Sequence, residues 1–430
     1  MPLAKIALGP GSLFIDGDWV ESKDLADDGI RYITTGNVGE GRYKEQGSGY
    51  ISQAKFDELR CTEVLPGDVL ISRLNLPIGR ACVVPDLGER IITSVDNVIT
   101  RPDSGYSRAY LAYMLSSASH FANMEILARG TTMQRISRST LGQVRFAFPT
   151  EEQTTIATFL DRETAKIDAL VAEQEKLIAL LQEKRQAVIS HAVTKGLDPN
   201  VTMKDSGVEW LGEVPGHWEV RQLKHLARLT TGMTPPTDEH ENYEENGFPW
   251  VRPEDIDESG AITKASKFLS EKGKALARLI PAGASLICCI GTIGKVGIVD
   301  ENVSTNQQIT AATFLGDPRY FYFTTCAARV ELENSATGNV LKILNTERLG
   351  ETKYPSPPLT EQTTIAIYLD SETAKLDTLM YEARTAIILL QERRTALISA
   401  AVTGQIDVRG LAGSANAPDS VAASAYPASA

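Results

Sequence analysis

Cysteine is scarce and unpaired in this chain. Its five residues (Cys61, Cys82, Cys288, Cys289 and Cys326) form no Cys-x-x-Cys motif, and their number is odd. A disulfide framework is therefore not expected, and a reducing cytoplasm is. Five scattered histidines show no zinc-ligand spacing, so no metal site is predicted. No apolar run approaches the ~18 residues of a membrane span. The opening "MPLAKIALGPGSLF" lacks a basic stretch followed by a long apolar core, so no signal peptide is expected. Positive charge is in deficit, with 43 Lys and Arg against 55 Asp and Glu, a net charge of −12. That argues against tight, unaided, non-specific DNA binding. It leaves room for a local basic groove or for partners that bring positive charge.

What is present is a repeat. "EQTTIATFLD" (Glu152 to Asp161) returns as "EQTTIAIYLD" (Glu361 to Asp370), and 27 of 43 aligned positions from Glu152 and Glu361 are identical. Such self-similarity is read before anything else. Neither 151–195 nor 361–403 contains Gly or Pro, and both are rich in helix formers. Thr150-Glu151-Glu152-Gln153 has the capping-box pattern, and Gly196 and Gly404 close the two segments. Ile156, Leu160, Ile167, Leu170, Leu177, Leu181 and Val188 fall at heptad-like steps, as do Ile365, Leu369, Leu376, Leu379, Leu390 and Leu397. This is a coiled-coil stripe, and the natural cover for each copy is the other, packed antiparallel.

Between the helices lie two segments that read as mixed β with short helices. They share landmarks in the same order. Each has an extended stretch with a polar tip (Ile33 to Asn37; Val251 to Asp255) and a Pro/Gly turn into an apolar strand (Pro66 to Ile71; Pro281 to Ile287). An Ile-Gly-basic step follows (Ile78-Gly79-Arg80; Ile293-Gly294-Lys295), then an Asn-bearing strand (Asn97; Asn306). The predicted fold is α+β. Two globular domains in tandem, 1–149 and 217–357, are separated by spacer helices, 150–196 and 358–408, that pack as an antiparallel coiled coil with pseudo-twofold symmetry. A linker covers 197–216. The Ala/Ser/Pro-rich end, 409–430, is expected to be a disordered tail.

No catalytic constellation emerges. "GTIGKVG" (Gly291 to Gly297) lacks the Walker spacing and places Val296 where Ser or Thr is needed. "SPPL" (Ser356 to Leu359) is a stiffened helix entry rather than a methyltransferase loop, and Asp257, Glu258 and Lys264 read as a charged surface loop. The remaining candidates are polar and basic side chains suited to base edges and phosphates. In the first half these are Thr34, Thr35, Asn37, Arg73, Asn75, Arg80, Arg129, Thr131, Thr132, Gln134 and Arg135. In the second they are Thr231, Thr234, Arg252, Lys295, Asn306, Asn339 and Lys342.

"MKDSGVEWLGEVPGHWEV" (Met203 to Val220), "PSPPLTEQTTIAIYLD" (Pro355 to Asp370) and "LLQERRTALISAAVTGQID" (Leu389 to Asp407) resemble the repeated segments of the specificity subunits of type I restriction–modification systems. The resemblance covers nearly the whole chain except the tail. It departs in one place: "GVEWLGEVPGHWEV" has no counterpart before "GPGSLFIDGDWVESK", which leaves the form of the first half's N-terminal strand open. The resemblance implies a non-catalytic subunit in a bacterial or archaeal cytoplasm. Each globular domain would read half of a bipartite, asymmetric site on double-stranded DNA. The helices would set the gap and dock two methyltransferase subunits, which would carry S-adenosylmethionine, with restriction subunits as further partners. Two other readings stand beside it: a self-contained methyltransferase or nuclease, and a protein-binding coiled-coil scaffold.

Overall fold

Strands Val69–Ser72 and Ser285–Cys288 are buried along their whole length, as expected for strands covered on both faces. In the computed structural model, which describes residues 1–47, 49–130, 133–256, 262–338 and 341–411, these two strands stand at equivalent places in two compact units. The first unit is Met1–Gln174 with the chain from Thr385 onward, and the second is Glu175–Arg384.

In the first unit a four-stranded antiparallel sheet runs in the order Leu13–Asp16, Asn97–Arg101, Val69–Ser72, Ala81–Val83. Alternation sorts its side chains. Val69, Ile71, Ala81 and Val98 face the helix Arg108–Met114, while Leu70, Cys82 and Ile99 face Ile33 and Ile91 of a second, three-stranded sheet. That second sheet contains a parallel pair, Ile30–Ile33 with Ile91–Thr93.

The second unit repeats this plan. Its main sheet is Ala227–Thr231, Ile309–Phe314, Ser285–Cys288, Val296–Ile298. Its own parallel pair is Phe248–Val251 with Ser304–Thr305. The segment 197–216, expected as a linker, is folded: Met203–Asp205 pairs with Glu213–Pro215, and Leu211 and Val214 join the core around Trp218.

The Ile-Gly-basic steps are turns that need glycine. Gly79 has φ +83° and Gly294 φ +75°, the left-handed region that side chains avoid. A Cβ at Gly79 would also lie 2.6 Å from Nε2 of His120. That histidine is buried, and burial pulls its pKa down to about 4. The Asn-bearing strands are out of step with each other. Asn97 pairs with Ser72, but the equivalent partner of Cys288 is Ile309, three residues beyond Asn306.

The repeat forms helices Gln153–Lys195 and Leu359–Val402. Ile156 N–H bonds to Glu152 O at 2.9 Å, so the cap is Glu152 rather than Thr150. The helices run antiparallel within each unit. Arg394 pairs with Asp168 at 3.1 Å in the first, and Arg185 with Asp377 at 3.1 Å in the second. These pairs are the same two repeat positions, 209 residues apart, with the roles of the helices exchanged.

The stripe is only in part an interhelical seam. Leu181 and Leu376 pack together with Met380. Ile156 and Leu160 instead enter the first unit's core, and Ile365 and Leu369 the second's. Ile167 is buried and Leu390 and Leu397 are half-buried. Leu170, Leu177 and Leu379 are exposed, at 44%, 42% and 47%. A heptad stripe marks which positions are apolar; it does not say whether a partner helix or a neighbouring sheet domain covers them.

Candidate nucleic-acid interface

The polar tips are built as one device in both halves. After Ile33 and after Val251 the chain makes a single turn of 3-10 helix, Thr35–Asn37 and Pro253–Asp255. Thr34 N–H bonds Asn37 Oδ1 at 3.0 Å, and Arg252 N–H bonds Asp255 Oδ2 at 2.8 Å. Asn37 is fully buried, and its amide donates to Lys44 O and Gln46 O. It shapes the tip and is not offered to a ligand. Thr34 and Thr35 are half-buried beside it.

The Ile-Gly-basic cations hold these turns. Arg80 is buried and donates to five carbonyl oxygens, those of Thr35, Val38, Leu74, Asn75 and Pro77. Lys295 donates to Pro253 O at 3.1 Å. Arg73 is likewise buried, bonded to Ile136 O at 3.2 Å and to Val95 O, and paired with Asp16. Arg73, Arg80 and Asn37 are corrected from DNA-facing groups to internal struts. A loop cation with several unpaired carbonyls in reach is drawn inward, because those carbonyls would otherwise be buried unsatisfied. Asn306 is also buried, and its amide bonds Gln308.

A different set faces solvent. Two antiparallel backbone pairings, Arg129 with Arg135 and Thr337 with Ile343, form the bases of equivalent hairpins. Arg129 and Arg135 exchange backbone bonds at 2.9 Å each way, and Thr337 and Ile343 at 3.0 and 2.8 Å. The first presents Arg129, Gln134 and Arg135, the second Lys342. Arg135 is oriented by Asp96 at 2.6 Å, and exposed Asn75 bonds the same hairpin through Gln134 O. Thr131, Thr132 and Asn339 lie outside the described residues, as do Asp257 and Glu258; Lys264 pairs with Asp300. Half-exposed Thr231 and Thr234 bond Thr310, Thr346 and Gln307. Arg252 is engaged by Glu254 and Ser266. Among the described residues no group of three or more His, Cys, Asp or Glu could hold a metal ion, and no helix is long and apolar enough to cross a membrane.

The repeated residues fasten each domain to the helices. Gln153 Oε1 accepts the backbone N–H of Ser107 at 3.0 Å, and Gln362 Oε1 accepts that of Asp317 at 2.9 Å. Ser107 and Asp317 cap the equivalent domain helices Arg108–Met114 and Pro318–Ala327. One turn on, the hydroxyl of buried Tyr110 reaches Val402 O at 3.4 Å and that of Tyr320 reaches Val193 O at 3.3 Å. Val193 and Val402 are equivalent positions of the repeat. Asp161 accepts from Tyr113, and its counterpart Asp370 accepts from Arg319. The signal for these fasteners was in the sequence: a glutamine kept at the second position of each repeat, and a tyrosine three residues after each cap. Replacing Gln153 or Gln362 by alanine leaves a half-buried backbone N–H without its side-chain acceptor. Each change should lower the unfolding free energy by about 1–3 kcal/mol in urea titrations.

Comparison with known proteins agrees with this plan. Residues 215–386 match the family model of the type I restriction modification DNA specificity domain. The chain is 24% identical over 382 residues to the putative type I restriction enzyme MjaX specificity subunit of Methanocaldococcus jannaschii, covering 84% of this chain and 83% of that one. It is 24% identical over 297 residues to the EcoBI specificity subunit of Escherichia coli, covering 64% and 61%. A solved chain from work on complex assembly and conformational transition of the type I R-M system shares the fold, with a TM-score of 0.70 at 14% identity over 94% of this chain and 97% of that one. Two unlike sheet domains are thus clipped by the same contacts to one duplicated helix, and the second half of the chain carries a match to the type I restriction modification DNA specificity domain.

Proposed function

We propose that this chain is the sequence-reading, non-catalytic subunit of a type I restriction–modification complex, and that each sheet domain reads one half of a bipartite DNA site. The observation that carries it is the duplicated fastening: Gln153 and Gln362, and Tyr110 and Tyr320, hold two different domains on equal handles, and the pairs Asp168–Arg394 and Arg185–Asp377 join the helices at equal repeat positions. Equal handles suit a partner bound twice; unlike domains suit an asymmetric target. The solvent-facing hairpin residues Arg129, Gln134, Arg135 and Lys342, with Asn75, Thr231 and Thr234, are the groups that meet DNA.

Exposed leucines recur at equivalent repeat positions, Leu170 with Leu379 and Leu180 with Leu389. They support docking of two methyltransferase subunits on the helices. Those subunits supply S-adenosylmethionine and the chemistry, and restriction subunits join the complex. The test is to co-express the chain with the methyltransferase encoded beside it and map methylated adenines by long-read sequencing. A two-part motif with a fixed gap is expected. A stable complex that methylates nothing, or methylates a single undivided motif, would overturn the proposal.

A further inference from the structure

Resting on that reading, we propose that Arg42, Asp168 and Arg394 form a latch that fixes the pitch of the first recognition domain on its helices, and that this latch enforces the length of the gap between half-sites. Asp168 projects from one helix and Arg394 from the other, and their 3.1 Å pair closes the helices together. The same two residues also grip the first domain. Arg42 Nη1 reaches Asp168 Oδ2 at 3.0 Å, and Arg394 Nη1 donates to the backbone oxygen of Glu40 at 3.1 Å. Arg394 is nearly buried, with 12% of its side chain exposed, so it is held in one place.

The gripped loop leads directly to the polar tip. Val38 bridges Tyr43 across its base, Lys44 N–H bonds Asn37 O at 2.9 Å, and Arg80 ties Val38 O and Thr35 O into one piece. Glu40 and Arg42 line a cavity of about 720 Å³ together with Ile167, Val171 and Ile388 of the helices. At this point the loop therefore meets the helices across open space. Across that space the direct links between this loop and the helices are polar, Arg42 to Asp168 and Arg394 to Glu40 O. Gln153, Tyr110, the Tyr113–Asp161 bond and the packing of Ile156 and Leu160 seat the body of the domain on the helices, and the latch adds a separate polar fixing at the loop that carries the polar tip.

Loss of the latch should leave each half-site sequence unchanged and relax only the spacing. The Arg42→Met variant is the direct test, because about half of that side chain is exposed and Asp168 keeps its pair with Arg394. The full-length variant and the unchanged chain are each assembled with the methyltransferase subunits. Both complexes are then assayed on duplexes carrying the cognate half-sites at the native gap and at gaps one base pair longer and shorter. The expected result is about a two- to fivefold gain in methylation of the off-length duplexes relative to the cognate one, the range for losing a partly exposed ion pair, with Arg42→Lys restoring strict spacing. Asp168→Asn should relax spacing at least as far. An Arg42→Met complex that keeps the single native gap, whether at full or reduced activity, overturns the latch. If the unchanged complex shows no two-part motif at all, the DNA-reading proposal fails first and the latch with it.

Discussion

Trp218→Ala should destabilise the second unit by about 3–5 kcal/mol, the range for deleting a large buried aromatic. Trp218 is fully buried in a core shared with Leu211, Val214, Tyr320 and Leu369. Its indole N–H donates to Glu361 Oε2 at 2.8 Å, and His217 bonds the other oxygen of the same carboxylate at 2.7 Å. One side chain thus joins the folded segment before the second domain to the first turn of the second long helix. Domains are commonly stable by only ~5–15 kcal/mol, so the loss is a large fraction of the total. Trp218→Phe keeps most of the apolar volume and gives up the hydrogen bond, so it should cost about 1–3 kcal/mol. Urea titration with hydrogen exchange resolved by unit would show amides of 285–314 losing protection while those of 69–101 keep theirs. A loss below ~1 kcal/mol would mean that the core around Trp218 refills the space.

Much of this architecture was legible in the sequence, for a physical reason in each case. Forty-odd residues without Gly or Pro, written twice, leave little but two long helices. The Pro/Gly turns and short β-branched runs mark sheet domains. Their order predicts that the two domains share a plan, as the matching sheet orders show. The partners of the stripe were not legible, because Ile156 and Ile365 bury equally well against a sheet domain or a helix. Nor was strand register: Asn97 and Asn306 look alike in sequence, yet ladder pairing sets them three residues apart. The candidate site was the least legible part. A cation in a loop reads the same whether it faces a phosphate or its own backbone, and only the location of the unpaired carbonyls decides. That ambiguity misdirected Arg73 and Arg80, while Arg129, Gln134 and Arg135 stand on a solvent-facing hairpin.

Arg80→Met should separate these two roles sharply. As an internal strut, Arg80 satisfies five carbonyls, at 2.7 Å to Val38 O, 2.8 Å to Thr35 O, 2.9 Å to Asn75 O, 3.1 Å to Pro77 O and 3.3 Å to Leu74 O. Burial pulls the guanidinium pKa down, but an arginine still carries its charge, so these are charge-assisted bonds. Removing them takes the guanidinium from Val38 O, Asn75 O and Pro77 O together, while Thr35 O keeps the Val38 N–H and Leu74 O keeps the Ser72 hydroxyl. Some will find water, so the net loss should be about 3–5 kcal/mol rather than the full sum. The first unit should unfold at clearly lower urea concentration, and exchange at Val38 and Lys44 should accelerate most. Arg80→Lys should recover part of the loss, since Lys295 holds the equivalent turn through a single bond to Pro253 O. A phosphate contact predicts the opposite pattern: unaltered stability, uniformly weaker DNA binding by the assembled complex, and a log–log salt slope shallower by about one. The hairpin residue Arg129, exposed on the same unit, should give that second pattern when replaced by Met. Finding the two patterns exchanged between Arg80 and Arg129 would reverse the assignment of strut and reader made here.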